Sequence, residues 1–147
     1  SSPAAAQDFQ KGFAAYEAGD FATALQEWTP LAEQGNVSAQ YNLGTLYDSG
    51  KGAPQDYKEA VKWYRLAAEQ GDAQAQNNLG FMHTNGHGVL QDNTMAHMWY
   101  NIGAANGNEN GGTNRDRIAK EMTPAAIEKA QAMARECMNS GYTKCEY

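Results

Sequence analysis

An all-α solenoid of about four stacked helix pairs is the fold this sequence predicts, and three observations predict it. First, the stretch 39–72 recurs at 75–108 with a constant offset of 36. The offset carries Leu43 to Leu79, Gly44 to Gly80, Gly50 to Gly86, Gly52 to Gly88, Asp56 to Asp92, Ala60 to Ala96, Trp63 to Trp99, Tyr64 to Tyr100, Ala68 to Ala104 and Gly71 to Gly107. Identity at one fixed period marks a repeat protein, whose units bury their apolar faces by stacking on their neighbours. Second, apolar and small residues in each copy fall at helical spacing in two blocks, Ala39-Leu43-Leu46-Tyr47 and Ala60-Trp63-Tyr64-Ala67-Ala68. Each unit is therefore a pair of amphipathic helices. Third, the helix boundaries are written at the same place in each copy. Asp56 and Asp92 precede the second helix, where a carboxylate accepts from free N–H groups, and Gly71 and Gly107 follow it, where the chain turns left-handed.

In chain order, residues 1–7 are small and aperiodic and read as a flexible lead-in. The first unit is expected over 8–35. Its spacing from Gly12 to Asp20 is 8 positions, against 12 from Gly44 to Asp56 and from Gly80 to Asp92, so it lacks a four-residue loop insertion. Pro30 lies inside its second helix, where the missing N–H and the ring predict a kink. Full repeats follow at 36–71 and 72–107. Gly44 and Gly80 sit within first helices at a cost of about 1 kcal/mol each relative to alanine, and close approach of the second helix, with Trp63 or Trp99 over the gap, is the expected return. The glycine-bearing loops 50–55 and 86–91 follow no strand and open no lysine-bearing phosphate cradle, so they read as longer inter-helix turns. The copy degrades after Gly107. A polar turn at 108–112, a short charged helix from Asn114 to about Met122, and a helix opened by Thr123-Pro124 make a closing cap over 108–145. Ile127, Ala130, Ala134 and Cys137 form its apolar stripe, with Glu128, Lys129, Gln131 and Glu136 facing away. The region 8–145 is expected as a single domain.

The string AxYxLGxLYxxGxGxxxDxxxAxxWYxxAAxxG that describes the 36-residue unit resembles the Sel-like (Sel-one) repeat of the tetratricopeptide superfamily. The first unit, GFAAYEAGDFATALQEW, resembles an ordinary tetratricopeptide unit with its shorter loop. The unit at 72–107 departs from the pattern at Asn77, His83 and Gly103. The resemblance implies a right-handed α/α solenoid whose first helices line a concave wall, and a non-catalytic scaffold that grips a peptide or partner protein there. Carried over by position, that wall is Phe9, Phe13, Tyr16 and Glu17 in the first unit, Ser38, Tyr41, Thr45 and Asp48 in the second, and Gln74, Asn77, Phe81 and Thr84 in the third. Its aromatics suit anchoring a partner, although Tyr41 belongs to the repeat pattern and Phe9 or Phe13 also suits helix packing. The unlike pairs Thr45/Phe81 and Asp48/Thr84 are where specificity is expected. Cysteine-rich relatives associated with penicillin binding and hydrolysis carry a cysteine pair in every repeat, which this chain lacks, so that activity is not carried over.

Composition narrows the function classes. The net charge is −6 and eleven basic residues are scattered singly, whereas nucleic-acid binding needs a basic stripe. No apolar run approaches the roughly 20 residues of a membrane span, so neither nucleic acid nor membrane insertion is expected. Cys137 and Cys145, the only cysteines, flank an Asn139-Ser140-Gly141 turn and read as a disulfide pinning the tail, which implies an oxidising compartment and export to periplasm or medium. The start Ser1-Ser2-Pro3, without methionine, suits signal removal or trimming equally. Two free thiols in a cytoplasmic protein remain the alternative. His83 and His87 have the spacing of a metal pair, but Asn85-Gly86 ends the helix between them and no further ligand completes a set. No metal or cofactor is expected. The Asn36-Val37-Ser38 sequon reads as a helix cap, as do Asp8, Asp20, Asp56, Asp72 and Asp92, leaving no paired acid and base and no catalytic residue. An enzyme or small-ligand receptor for a cell-wall or sugar-like compound stands as the alternative function.

Overall fold

The computed structural model describes residues 3–145, and among them it contains eight helices and no strand: α1 Pro3–Glu17, α2 Phe21–Glu33, α3 Val37–Ser49, α4 Tyr57–Ala68, α5 Ala73–Asn85, α6 Asn93–Ala105, α7 Gly111–Ala119 and α8 Pro124–Asn139. The chain divides into two compact units, one through Leu66 and the other from Ala67 onward.

Helix boundaries follow the punctuation in the sequence. Asp20, Asn36, Asp72, Asp92 and Thr123 cap α2, α3, α5, α6 and α8, each accepting from the backbone two or three residues on. Asp56 accepts from Glu59 N at 3.1 Å in the first turn of α4. Bonds from the Thr23 side chain and backbone hold the exposed Asp20 carboxyl below its ordinary pKa. The long loops close alike: Asp56 N donates to Tyr47 O at 2.9 Å and Asp92 N to His83 O at 3.0 Å. The loop after α3 also fixes its position by backbone contact, since a Cβ on Gly52 would fall 2.5 Å from Phe21 O.

Three expectations need correction. α1 begins at Pro3, inside the stretch read as a lead-in, which places Asp8 within a helix rather than at its cap; proline suits the first helical position and the alanines at 4–6 propagate the helix from it. Ser1 and Ser2 lie outside the described residues. α7 begins at Gly111, not Asn114, because its first glycine lies against the α6 backbone, where a Cβ would stand 2.7 Å from Tyr100 O and from Ala104 N. In the two full repeats the gap over the first-helix glycine is filled by tyrosine, not by Trp63 or Trp99. A Cβ on Gly44 would meet Tyr64 Cε1 at 2.4 Å, and one on Gly80 would meet Tyr100 Cδ1 at 2.4 Å. In the first pair Trp28 takes that place over Gly12. Gly12 and Trp28 are 16 positions apart where Gly44 and Tyr64 are 20, so the missing four loop residues account for the shift.

In the first unit, Ala24, Trp28, Leu31, Ala32, Ala39, Leu43, Leu46 and Trp63 form a buried cluster. The Trp28 indole N–H donates to Phe9 O at 3.2 Å, and Pro30 sits near the end of α2. In the second unit, Ala96, Tyr100 and Ile118 pack together with Met122 beside them, and α8 packs on α6. Ala130, Ala134 and Cys137 of α8 are buried, while Glu128, Lys129, Gln131 and Glu136 are exposed. Cys137 and Cys145 form a disulfide with Cα atoms 4.5 Å apart. The tail it holds places Tyr142, at φ 66°, with its hydroxyl accepting from Asn106 Nδ2 at 2.9 Å. The same amide donates to Oε1 of fully buried Gln76, whose Nε2 donates to Ala68 O, so tail and helix ends share one polar chain.

Candidate partner-binding groove

The outward positions of the first helices divide between the two units. In the first unit, Phe9 is half-buried against Trp28 with ring centroids 5.8 Å apart, and Tyr16 lies between Phe21 and Trp28 at 5.2 and 5.9 Å. These two rings are committed to the α1–α2 pair. Phe13, one turn from each, is 46% exposed. Glu17 and Ser38 are exposed. On α3, Tyr41 is half-buried with its ring 6.1 Å from that of Tyr64, and Thr45 Oγ1 donates to Asn42 O at 2.8 Å. Asp48 accepts from the Tyr64 hydroxyl at 3.1 Å.

The second unit gathers its outward residues around a concavity. Phe81, Thr84 and Asn85 of α5, Tyr100 of α6, and Asn114, Arg117, Ile118 and Glu121 from α7 and its C-terminal end line a groove of about 210 Å³. α5 contributes by periodicity: Phe81, Thr84 and Asn85 fall at i, i+3 and i+4 and share a face. α7 does the same with Asn114, Arg117 and Ile118, and Glu121 follows in the turn after it. Tyr100 forms the floor because Gly80 admits its ring between the helices. Its hydroxyl lies 2.9 Å from Thr84 Oγ1, which also donates to Gly80 O. Burial raises the Tyr100 phenol above its ordinary pKa, against the opposing effects of the Thr84 bond and the nearby Arg117 charge. Phe81 is half exposed at 50%, with the His87 ring edge-on at 6.1 Å. Asn77 lies just outside the lining and accepts from Asn114 Nδ2 at 3.1 Å, and Gln74 accepts from Asn108 Nδ2.

Of the expected wall residues, the groove brings together Phe81 and Thr84, with Asn77 tied to its edge through Asn114. Asn114, Arg117, Ile118 and Glu121 were not singled out by the sequence, because they lie beyond the repeated copy, and Tyr100 entered only as a position of the repeat pattern. The i, i+3, i+4, i+7 spacing of the four α7-side residues is the signal that could have found them. Asp48 and Thr84, expected as specificity positions, each hydrogen-bond the gap-filling tyrosine, so both also fix the second helix to the first. His83 is buried on α5 and His87 stands in the loop; among the described residues, no three His, Cys, Asp or Glu side chains are grouped to hold a metal. No described helix is long and apolar enough to cross a membrane.

The model of the Sel1 repeat matches residues 37–72 and 73–108, the two units whose caps, loops and glycine–tyrosine contacts coincide. The chain carries two Sel1 repeats. Among solved structures, it is similar to c5321, a protective antigen of uropathogenic Escherichia coli strains displaying an SLR fold, with a TM-score of 0.87 and 27% identity over 94% of this chain and 31% of that one. It is similar also to a Sel1 repeat protein from Oxalobacter formigenes, with a TM-score of 0.74 and 27% identity over 94% of this chain and 66% of that one. The chain thus spans about a third of the first relative and just under two thirds of the second. No curated protein matches its sequence. Sel1 repeat proteins generally mediate protein interactions, and the all-helical architecture agrees with that family.

Proposed function

We propose that this protein is a non-catalytic scaffold that binds a peptide or protein partner on the outward faces of its first helices. In the first unit the partner-facing residues are Phe9, Phe13, Tyr16, Tyr41, Thr45 and Asp48, with Phe13 the accessible anchor. In the second unit Asn77, Phe81 and Thr84 serve the groove. The observation that carries this reading is Phe81, a large aromatic left 50% exposed at the lip of a concavity floored by Tyr100. Half-exposed aromatics beside a pocket are the side chains that dominate association energetics once covered.

The groove is small for the alternative. Its volume of about 210 Å³ is below the roughly 300–1,000 Å³ of sites that enclose a whole small ligand. It suits one or two side chains of a longer partner better than a cell-wall or sugar-like compound. The cystine supports placement in an exported compartment, periplasm or medium.

A random-peptide display selection against the wild-type protein tests the scaffold. Enriched peptides are expected to compete with one another and to lose at least about tenfold in affinity on Phe81→Ala, the scale of a hot-spot residue. Peptides that bind Phe81→Ala and Phe13→Ala as well as wild type would reject both anchors. A thermal shift with sugars or cell-wall fragments, and none with peptides, would favour the receptor alternative.

A further inference from the structure

The groove between α5 and α7 carries information about what it accepts, and this inference rests on its being a peptide site. Most polar side chains around it are engaged within the protein. Thr84 Oγ1 is shared between Gly80 O and the Tyr100 hydroxyl, Asn85 Nδ2 donates to Phe81 O at 3.0 Å, and Asn114 Nδ2 donates to Asn77 Oδ1. Two lining groups are charged, Arg117 and Glu121. Among the described residues neither takes part in an ion pair, with each other or with any third group. Arg117 lies in the last turn of α7 and Glu121 in the turn that follows it, where Glu121 N donates to Ile118 O at 3.0 Å, and both line the groove with Ile118, facing Phe81 of α5.

We propose that this groove selects an extended segment of a partner protein in which an apolar side chain is flanked by one acidic and one basic residue, in one order only. The apolar side chain covers Phe81 and Ile118. The acidic neighbour meets the Arg117 guanidinium, whose planar donors suit a carboxylate, and the basic neighbour meets Glu121. An all-acidic segment meets repulsion at Glu121 and at the chain's net charge of −6, and an all-basic one meets Arg117. Opposite charges at the end of α7 and in the turn after it thus read direction as well as composition, since reversing the segment places like charges together.

The test is an amide NMR titration of the protein with three capped tripeptides, acetyl-Glu-Leu-Lys-amide, acetyl-Lys-Leu-Glu-amide and acetyl-Gln-Leu-Gln-amide, at low salt. One charged order is expected to bind on the order of fivefold more tightly than the other, the scale of two exposed ion pairs, with shifts at 81–85 and 114–121. The preference is expected to shrink in 0.5 M salt, about where screening removes exposed pairs. The double variant Arg117→Glu with Glu121→Arg is expected to reverse the preferred order, an outcome that a general loss of fold cannot produce. Equal affinity for all three tripeptides, with shifts still centred on Phe81, would overturn the charge inference while leaving the groove as a peptide site. Shifts elsewhere, or none with any peptide, would overturn both.

Discussion

The α3–α4 and α5–α6 pairs lie 36 residues apart in sequence, and what they share differs in kind from what they do not. Shared are the capping Asn36 and Asp72, the left-handed Gly50 and Gly86 at φ 69° and 67°, the loop closures onto Tyr47 O and His83 O, and the tyrosine seated over a first-helix glycine. All of these set backbone paths and the approach of one helix to its partner. What differs lies on the first helix beside that tyrosine. Tyr41 packs its ring near Tyr64, whereas Asn77 spends its carbonyl on Asn114; Thr45 is replaced by Phe81; Asp48 and Thr84 offer different partners to the same hydroxyl. The frame is held by the fixed set, and the chemistry of each outer face is free to vary around it.

The largest effects should come from breaking the shared contact. Tyr64→Ala and Tyr100→Ala each empty a buried ring site, and each is expected to lose about 3–5 kcal/mol of stability in chemical denaturation, as large aromatic truncations do. Gly80→Ala should be destabilising despite a propensity gain of about 1 kcal/mol, because the new methyl meets the Tyr100 ring and overpacking costs about 1–3 kcal/mol. The sharper measurement is the double variant. With the ring gone the methyl has room, so Gly80→Ala plus Tyr100→Ala is expected to be less damaging than the sum of its parts by about 1–2 kcal/mol. Additive losses would mean that the glycine and tyrosine do not share the space the geometry gives them.

Next in size is the cystine, which the second unit has and the first lacks. The disulfide closes a ring across a sequence separation of 8, and for so short a loop the chain-entropy model gives about 2.5 kcal/mol. Cys137→Ser with Cys145→Ser is expected to lower stability by that order and to speed amide exchange at 141–145 and at Asn106, which Tyr142 engages. Faster exchange confined to residues before Leu66 would contradict it.

Exchanging the hydroxyl partners probes the variable face itself. Thr84→Val removes the bond to the half-buried Tyr100 hydroxyl and is expected to cost about 1–2 kcal/mol, whereas Thr84→Asp, which imports the second pair's solution, should cost less. An equal loss from both would show that the two faces are not interchangeable around one frame.

The sequence was most legible where one residue type has one backbone task. Asp20, Asn36, Asp72 and Asp92 at helix starts, and Gly71 and Gly107 at φ 92° and 100° after helix ends, were each readable alone. The cystine followed from two cysteines across a turn. Legibility failed where the deciding contact lies elsewhere in the chain. Neighbours Trp63 and Tyr64 point about 100° apart on a helix, and apolar spacing alone does not say which one faces Gly44. Gly111-Gly112 reads as a turn until the α6 backbone is present to draw it into α7. The groove escaped for the same reason: it needs α5 and α7 together, and only α5 belongs to the repeated copy.

The smallest effect separates the pairs by pH. Val61 of α4 is matched, 36 residues on, by His97 of α6; both are buried, at 3% and 2% exposure, so an ionisable ring stands in one pair where an aliphatic side chain stands in the other. Burial lowers the His97 pKa below its ordinary value of 6.5, the Arg115 charge lowers it further, and Asp116 raises it in part. Its Nδ1 has no hydrogen-bond partner among the described residues. Below the unfolded value of 6.5 the unfolded chain binds a proton that the folded ring resists, so stability falls as pH drops from there through the folded pKa and levels off beneath it. Above that window the slope from this residue vanishes. His97→Val, which gives the third pair the second pair's residue, is expected to remove the acid-side slope while leaving any slope from carboxylates nearer pH 4. Denaturant midpoints measured across about pH 7.5 to 4.5 decide it. A parallel decline in both proteins would mean that the buried imidazole gains as much on protonation as it loses in solvent, with Asp116 the group able to supply that gain.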